Sequence, residues 1–310
     1  MSQAASLSFA CDAAPCGMSA GGTAMDAGME FYRCQTCGVL RIPPEKLLHQ
    51  SVDSDPLTPL SLVMRLLMTM RMIWLRLVVP ALRDRSTTIA DVGCGDGQFS
   101  EFLKRSGYQV TGIEPEDDRR QHAQARGLEV YPSWEAADQA RGQSVKADIA
   151  ITWHVLEHVP QPAGFLKELT SRVRPGGSAI ISVPNQNSLQ TRLFGFYSSY
   201  PDYGRHIWYH EASYADYIRK AAGGAEVRLL PDYNLEYEVF AWVDSILSAI
   251  VRRQNFVHIA LKKGKGPLVS RLLIAVAAVA VLPLAGVLSL VSLAMGRGST
   301  LTFEIRPKAG

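Results

Sequence analysis

Short apolar runs alternate with amphipathic segments from residue 87 onward. In one such segment, 162–173, Phe165, Leu166, Leu169 and Val173 fall on a single helical face. The predicted strands are 89–92, 109–113, 128–131, 148–152, 179–183, 226–230 and 300–306. The predicted helices between them are 97–105, 116–125, 134–140, 162–173 and 213–222. Strands that alternate with helices predict a parallel sheet covered on both faces.

The first of these strands ends at Asp91 and leads into a glycine-rich turn. Residues 88–97 read Thr-Ile-Ala-Asp-Val-Gly-Cys-Gly-Asp-Gly, with glycine at every second position from Gly93 to Gly97. Glycine adopts positive φ and lets a ligand approach the backbone closely. The helix that follows offers free N–H groups to an anionic part of that ligand. An ordinary strand–helix turn has the same glycines, so the residues downstream decide between the two interpretations.

Three downstream features favour a ligand-binding turn. Gln98 stands where a dinucleotide-binding turn has its third glycine. Glu114 ends the second strand, where a carboxylate can accept hydrogen bonds from ribose hydroxyls. Asp148 opens the fourth strand, which leads into Trp153-His-Val-Leu-Glu-His158.

Together with Arg174-Pro-Gly-Gly177 and Arg205-His-Ile-Trp-Tyr-His210, these motifs resemble the class I S-adenosylmethionine-dependent methyltransferases. The motif set is most similar to the ubiquinone-pathway O-methyltransferases, and it covers residues 87 to about 233 and the last strand. The resemblance implies an α/β fold with a doubly wound, seven-stranded, mostly parallel, Rossmann-like sheet whose last strand is antiparallel. It also implies S-adenosylmethionine as the cofactor.

The resemblance assigns roles to individual residues. The turn and Asp91 would hold the aminocarboxypropyl part of the cofactor, Glu114 the ribose, and Trp153 would lie beside the methionine end. The predicted cofactor-binding residues are therefore Asp91, Gly93, Cys94, Gly95, Gly97, Glu114 and Trp153. Ser133 and Trp134 would border the adenine. Packing is sufficient to explain Cys94, which is not predicted to be a nucleophile.

Methyl transfer to an oxygen also requires removal of the acceptor proton, a task that suits a neutral histidine. The candidates are His154, His158, His206 and His210. We select His154 and His206 for catalysis or substrate positioning.

Four of the five cysteines lie in the first 37 residues, as Cys11-x4-Cys16 and Cys34-x2-Cys37. No basic, apolar leader precedes them, which predicts a cytoplasmic, reducing setting in which paired cysteines bind metal. Cys11, Cys16, Cys34 and Cys37 are predicted to hold a structural zinc ion in a zinc-ribbon-like module, since four thiolates would close the site to catalysis. The alternative is four unrelated cysteines.

Two other segments are strongly apolar. Residues 60–79 are rich in leucine and methionine but carry Arg65, Arg71 and Arg76, which fits either a helix in the membrane interface or a lid packed on the main domain. Residues 272–295 are uncharged, and Pro283 and Gly286 divide them into two short limbs. We expect a re-entrant or monotopic hairpin on the cytoplasmic side of the membrane rather than a single span or a buried helix pair.

The predicted organisation has five parts: a zinc-ribbon-like module at 1–45, a linker and amphipathic helix at 46–86, a methyltransferase domain at 87–238, a membrane-associated insertion at 239–298 and the last strand at 299–310. The net charge of +3 on 310 residues does not indicate nucleic-acid binding. The predicted function is O-methylation of a small or lipid-linked acceptor, such as a prenyl quinone precursor, at the membrane surface. The alternatives are methylation of a lipid-linked sugar or polysaccharide intermediate, a non-catalytic membrane adaptor, and a nicotinamide-dependent oxidoreductase, which Gln98 disfavours.

Overall fold

The computed structural model describes residues 23–26, 29–34, 39–43, 46–47, 62–199, 202–231, 235–262 and 268–308. Within them the strands are β1 (Thr23–Asp26), β2 (Met29–Arg33), β3 (Leu40–Arg41), β4 (Thr88–Val92), β5 (Gln109–Ile113), β6 (Glu129–Tyr131), β7 (Ala147–Trp153), β8 (Val173–Pro184), β9 (Trp208–Tyr209), β10 (Glu226–Leu230) and β11 (Thr300–Arg306). The α-helices are α1 (Leu62–Val78), α2 (Gln98–Arg105), α3 (Asp117–Ala125), α4 (Trp134–Arg141), α5 (Pro162–Ser171), α6 (Leu189–Phe194), α7 (Tyr214–Ala221), α8 (Leu235–Val251), α9 (Phe256–Lys262) and α10 (Leu268–Ala294).

The chain forms two compact units that do not follow chain order. The sheet unit comprises Gln50–Val183, Ala215–Pro231 and Thr302–Gly310. The helical unit comprises Met1–His49, Pro184–Tyr214 and Asp232–Leu301. The chain therefore leaves the sheet unit after β8 and returns to it twice, each time after a segment of the helical unit.

The sheet unit confirms the predicted α/β fold. Its strand order is β10-β11-β8-β7-β4-β5-β6. The pairs of β4 with β5 and β7, of β5 with β6 and of β7 with β8 are parallel, whereas β10 and β11 are antiparallel. Asp91 lies between Gly112 and Ile151 in this register. The carboxyl ends of β4, β5 and β7 therefore meet at one edge of the sheet.

Helix α1 covers part of this sheet. Met72, Trp74 and Leu75 are buried in the same apolar cluster as Ile89 of β4 and Ile149 of β7. The indole Nε1 of Trp74 donates a hydrogen bond to the carbonyl of Pro231 at 2.8 Å. Burial of these large apolar side chains fixes α1 on the sheet unit.

The helical unit contains a four-stranded sheet of order β1-β2-β3-β9. Phe31, Leu40, Ile42 and Tyr209 form its apolar cluster. The backbone N–H of the buried Cys34 donates to the carbonyl of Val39 at 2.9 Å. Of the four predicted zinc ligands, Cys11, Cys16 and Cys37 lie outside the described residues, so the zinc site stays a prediction.

The prediction that the helix breaks into a hairpin at Pro283 is wrong. Helix α10 is continuous from Leu268 to Ala294 and passes through Pro283 without interruption. Within the described part of the chain it is the one helix long and apolar enough to cross a membrane: an 18-residue stretch within Val269–Ala294 has a mean hydropathy of 2.6, and 11% of that stretch is buried. Proline removes one backbone hydrogen bond of a helix without ending it when neighbouring structure supports the helix. Here α10 packs against α8 and α9 through Trp242, Val257 and Ala285.

A buried carboxylate ties α10 to α8. Glu238 is 1% exposed. Its Oε1 accepts hydrogen bonds from Gln190 Nε2 at 2.7 Å, from Trp242 Nε1 at 3.1 Å and from the Ser292 hydroxyl. Its Oε2 accepts from the backbone N–H of Ser299 at 2.6 Å. A buried carboxylate with four donors is fully satisfied and specifies how the two helices pair.

Candidate functional site

The glycine turn has the backbone that its sequence predicts. Gly93, Gly95 and Gly97 have φ of +74°, +57° and +78°. A Cβ at Gly93 would lie 2.4 Å from Cγ2 of Val155, and a Cβ at Gly97 would lie 2.5 Å from Cδ1 of Leu128. Packing therefore requires glycine at both ends of the turn.

Gly95 differs from its two neighbours. The nearest atom to a Cβ built there is Nη1 of Arg119, at 3.7 Å. The middle of the turn thus faces open space beside a buried carboxylate. Oε2 of Glu114 accepts a hydrogen bond from the Gly95 N–H at 2.8 Å, and Oε1 accepts one from the N–H of Glu116 at 3.0 Å. Because an ionised carboxylate accepts about four hydrogen bonds, Glu114 keeps acceptor capacity for a ligand hydroxyl.

Asp91 is the second buried carboxylate at this edge. Its Oδ2 accepts a hydrogen bond from the Ser100 hydroxyl at 2.5 Å. The pKa of Asp91 is raised to about 6, mainly by burial and in smaller part by the nearby Glu114, while the Ser100 hydrogen bond and the Arg71 charge act to lower it. Two carboxylates side by side favour a ligand group that carries positive charge or hydrogen-bond donors.

The raised pKa of Asp91 predicts a pH-dependent stability of the ligand-free protein. Protonated Asp91 is favoured in the folded chain, so its contribution to the free energy of unfolding is present below about pH 4 and is lost as pH rises through about 6. We expect a loss of up to about 3 kcal/mol across this window. Urea unfolding at several pH values measures it, with Asp91→Asn as the reference. An identical pH dependence in both proteins would contradict the assignment.

Trp153, predicted beside the cofactor, ends β7 and packs against α1 and α2. The Arg71 guanidinium lies over the Trp153 ring at 5.1 Å and over the Phe99 ring at 4.8 Å. The Trp74 ring meets the Trp153 ring edge-on at 6.2 Å. Arg71 is 5% exposed, which makes it a buried cation close enough to Asp91 to lower its pKa.

Sequence reasoning missed two of these groups. Ser100 carries no motif, and its bond to Asp91 depends on how α2 leaves the turn. Arg71 was read only as one of three arginines on an apolar helix. A signal was nevertheless present, because Arg71 falls on the same helical face as Met68 and Leu75, both of which are buried.

His154 has the most distinctive backbone of the predicted catalytic residues. Its φ is +56°, a left-handed conformation that is uncommon for a residue other than glycine. Its N–H donates to the carbonyl of Ser182 at 3.0 Å, and its Nδ1 lies 3.3 Å from Oε1 of the fully buried Glu157. A histidine oriented by a carboxylate is an arrangement suited to general-base chemistry. His158, on the same loop, is exposed.

His206 and His210 belong to the helical unit. His206 is 7% exposed, and its ring centroid is 6.1 Å from that of Tyr209. His210 is 1% exposed and lies edge-on to Tyr214 at 4.3 Å. The structure therefore places His154 and His206, the two predicted catalytic residues, in different compact units.

The remaining predicted residues have structural partners. The thiol of Cys94 packs against the apolar cluster of Ala123, Leu128 and Val130. Burial raises the pKa of this thiol well above its usual range, which agrees with a packing role. The Ser133 hydroxyl caps α4 by accepting a hydrogen bond from the N–H of Ala136, and Trp134 is buried beneath the Arg172 guanidinium.

Comparison with known proteins identifies a family whose model matches this chain, and relatives that are similar to it over part of their length. The family profile described as "Methyltransferase domain" matches residues 68–223. The ubiquinone biosynthesis O-methyltransferase of Aeromonas salmonicida is 40% identical over 104 residues, which are 32% of this chain and 44% of that protein. The protein of the same name from Bordetella avium is 32% identical over 123 residues, 38% of this chain and 50% of that protein. The match thus spans half or less of these curated relatives.

Solved structures show weaker similarity. A SAM-dependent methyltransferase from Archaeoglobus fulgidus is 22% identical, with 52% of this chain and 71% of that chain covered and a TM-score of 0.40. A SAM-dependent methyltransferase from Thermotoga maritima, described as a possible histamine N-methyltransferase, is 16% identical, with 78% and 92% covered and a TM-score of 0.42.

Proposed function

Because this chain belongs to the methyltransferase-domain family, we propose that it transfers a methyl group from S-adenosylmethionine to a hydroxyl oxygen of a small or lipid-linked acceptor. A prenyl quinone precursor is the acceptor class that the partial relatives, named ubiquinone biosynthesis O-methyltransferases, favour. The observation that carries the proposal is the junction of Gly95 and Glu114, where an open glycine turn is held by a buried carboxylate.

The residues at this junction fit S-adenosylmethionine. Open space at Gly95 leaves room for the cofactor against the backbone. Glu114 has acceptor capacity for the ribose hydroxyls, and Asp91 has it for the ammonium end. Arg71 supplies a buried positive charge for the carboxylate end. The bound cofactor supplies an electrophilic methyl group on a sulfonium.

We assign removal of the acceptor proton to His154. Nδ1 of His154 faces Glu157, and the carboxylate of Glu157 would stabilise the imidazolium that forms when His154 takes the proton. Positioning of the acceptor supplies much of the remaining rate enhancement in such a displacement. His206 stays a proposed acceptor-positioning residue, and zinc binding by Cys11, Cys16, Cys34 and Cys37 stays a proposal that metal analysis of the purified protein can test.

The helical unit supports a membrane location for the acceptor, because its polarity is inverted relative to that of a soluble helix pair. Asp244, Ser245, Ser289 and Ser292 are fully buried within it. By contrast, ten large apolar side chains of α10 are between 42% and 67% exposed: Val269, Leu272, Leu273, Val276, Val279, Leu282, Leu284, Val287, Leu290 and Val291. Polar groups inside and apolar groups outside are typical of helices in lipid. We infer that the outer face of α10 contacts the hydrocarbon of a bilayer.

The location is tested by placing charge on that face. The double substitution Val276→Arg and Val279→Arg is expected to shift most of the protein from the membrane fraction to the soluble fraction, since a charge in hydrocarbon costs several kcal/mol. Fractionation of cells that express each variant measures the shift. The control carries the same two arginines at the exposed positions Gln139 and Ala140 of α4. Equal partitioning of both variants into membranes would contradict the inference.

The activity is tested with S-adenosylmethionine labelled in its methyl group and a polyprenylated catechol in detergent. Transfer of label to the catechol oxygen is the expected result. A lipid-linked sugar is supplied in a parallel reaction. Transfer of label only to that sugar would identify a lipid-linked sugar, the second candidate, as the acceptor. Absence of cofactor binding to the purified protein would overturn the proposed function and favour an adaptor role.

A further inference from the structure

Helix α1 presents an apolar face to solvent that the proposed function leaves unexplained. Leu66, Met70, Ile73 and Leu77 are 60%, 41%, 54% and 67% exposed. They follow one another at spacings of four, three and four residues, which places all four on one narrow stripe of the helix. We call these four residues the α1 stripe.

The exposure of the α1 stripe does not come from poor packing of the helix. The opposite face of α1 is well buried, with Met68 at 4%, Met72 at 2% and Leu75 at 0% exposure. The C-terminal end of the helix is also held, because Arg228 donates to the carbonyl of Val78 at 3.0 Å. Because α1 is already packed through its buried face, the α1 stripe is a preformed apolar surface and is not needed to form the core of the sheet unit.

The charges around the stripe are of one sign. Residues 62–78 contain three arginines and no acidic residue. Arg71 points into the sheet unit, whereas Arg65 is exposed on one flank of the stripe. Arg76 lies on the same flank but is half-buried, and its Nε donates to the carbonyl of Leu82 and to the hydroxyl of Tyr108. Arginine beside a leucine- and methionine-rich face suits the boundary between lipid headgroups and acyl chains, where the guanidinium reaches phosphate while its methylene groups stay apolar.

We propose that the α1 stripe docks the sheet unit on an anionic lipid bilayer, with Leu66, Met70, Ile73 and Leu77 in the interface and Arg65 against headgroup phosphates. This proposal rests on the proposed function and deepens it. The inner face of the same helix carries Arg71 and Trp74, and both contact Trp153. Helix α1 would then be both a lid packed on the main domain and a helix in the membrane interface, which are the two interpretations that its sequence leaves open. It would bring the cofactor site to the surface where a lipid-linked acceptor resides.

The contact is tested by cross-linking to lipid. The full-length protein is reconstituted with vesicles of equal parts phosphatidylglycerol and phosphatidylcholine that contain a phospholipid with a photoreactive acyl chain. Cleavage after arginine gives the peptides 66–71, 72–76 and 77–83, so mass spectrometry can locate cross-links on each part of the stripe. We expect cross-links in all three peptides, and at least threefold fewer when phosphatidylglycerol is omitted. Cross-links confined to residues 268–294 would overturn the proposal.

A charge variant gives an independent test. Ile73→Glu with Leu77→Glu is expected to reduce cross-linking in 66–76 at least tenfold, whereas Ala140→Glu, at an exposed position of α4, leaves it unchanged. A cooperative thermal unfolding transition without vesicles establishes that each variant is folded, and calorimetry measures its cofactor binding. Unchanged cross-linking in the double variant would count against docking. If no variant and no wild-type protein binds cofactor, the proposed function fails, while the cross-linking result still decides the docking.

Discussion

Replacement of Gly95 by arginine is expected to abolish S-adenosylmethionine binding and methyl transfer while the protein stays folded. A side chain at this position enters the open space beside Glu114 that the cofactor would occupy. The backbone strain of a non-glycine residue at φ +57° costs about 1–2 kcal/mol, which a domain of ordinary stability tolerates. Isothermal titration should show an affinity at least about 100-fold weaker, since binding and the side chain exclude each other sterically.

The matched control is Gly142→Arg at the end of α4. Gly142 has φ +65° and no atom within 4 Å of a built Cβ, so the substitution introduces a similar strain away from the turn. It should lower the thermal midpoint by a similar amount and leave cofactor affinity unchanged. Gly97→Ala should behave differently, because its Cβ would lie 2.8 Å from Cβ of Ala123, and loss of folding is expected. Cofactor affinity that survives in the Gly95 variant would rule out this turn as the binding site.

Substitution of His154 by glutamine is expected to lower kcat by about 10²–10⁴-fold with little change in cofactor affinity. The reason is that His154, oriented by Glu157, is the proposed acceptor of the substrate proton. Steady-state kinetics across pH measures the effect.

Two further variants separate catalysis from folding of the loop. Glu157→Gln keeps the shape of the buried side chain and should reduce kcat less than loss of His154 does, because it acts through the orientation of the imidazole. His158→Gln changes an exposed histidine on the same loop and should leave kcat unchanged. An effect of His154→Gln on KM alone would assign the residue to acceptor binding rather than to proton transfer.

The sheet and its turn were predictable because their signals are local. Strands β5, β10 and β11 coincide with the apolar runs 109–113, 226–230 and 300–306. Glycine at these three positions indicates a backbone with positive φ, because other residues rarely adopt that conformation. Fixed strand order then brings Asp91, Glu114 and Trp153 to one edge, as the pattern indicates.

Other features depend on contacts that no local pattern encodes. The prediction of a break at Pro283 used a rule for isolated helices, but α10 has α8 and α9 beside it to support the proline turn. The two-residue strands β3 and β9 are too short to show any periodicity, and their pairing joins distant parts of the chain. Arg71 and Ser100 gain their importance only from the tertiary packing of α1 and α2 around Asp91.

The position of β11 has a consequence for biogenesis. This strand lies between β10 and β8 in the sheet but follows α10 in the chain. During synthesis the apolar helix therefore emerges before the strand that completes the sheet, and β8 presents an unpaired edge until then. Unpaired edges attract other strands and promote aggregation. The proposed contact of α10 with a membrane would, if made early, hold the nascent chain apart from its copies during this interval. Under that proposal, the order of elements along the chain favours membrane contact first and closure of the sheet second.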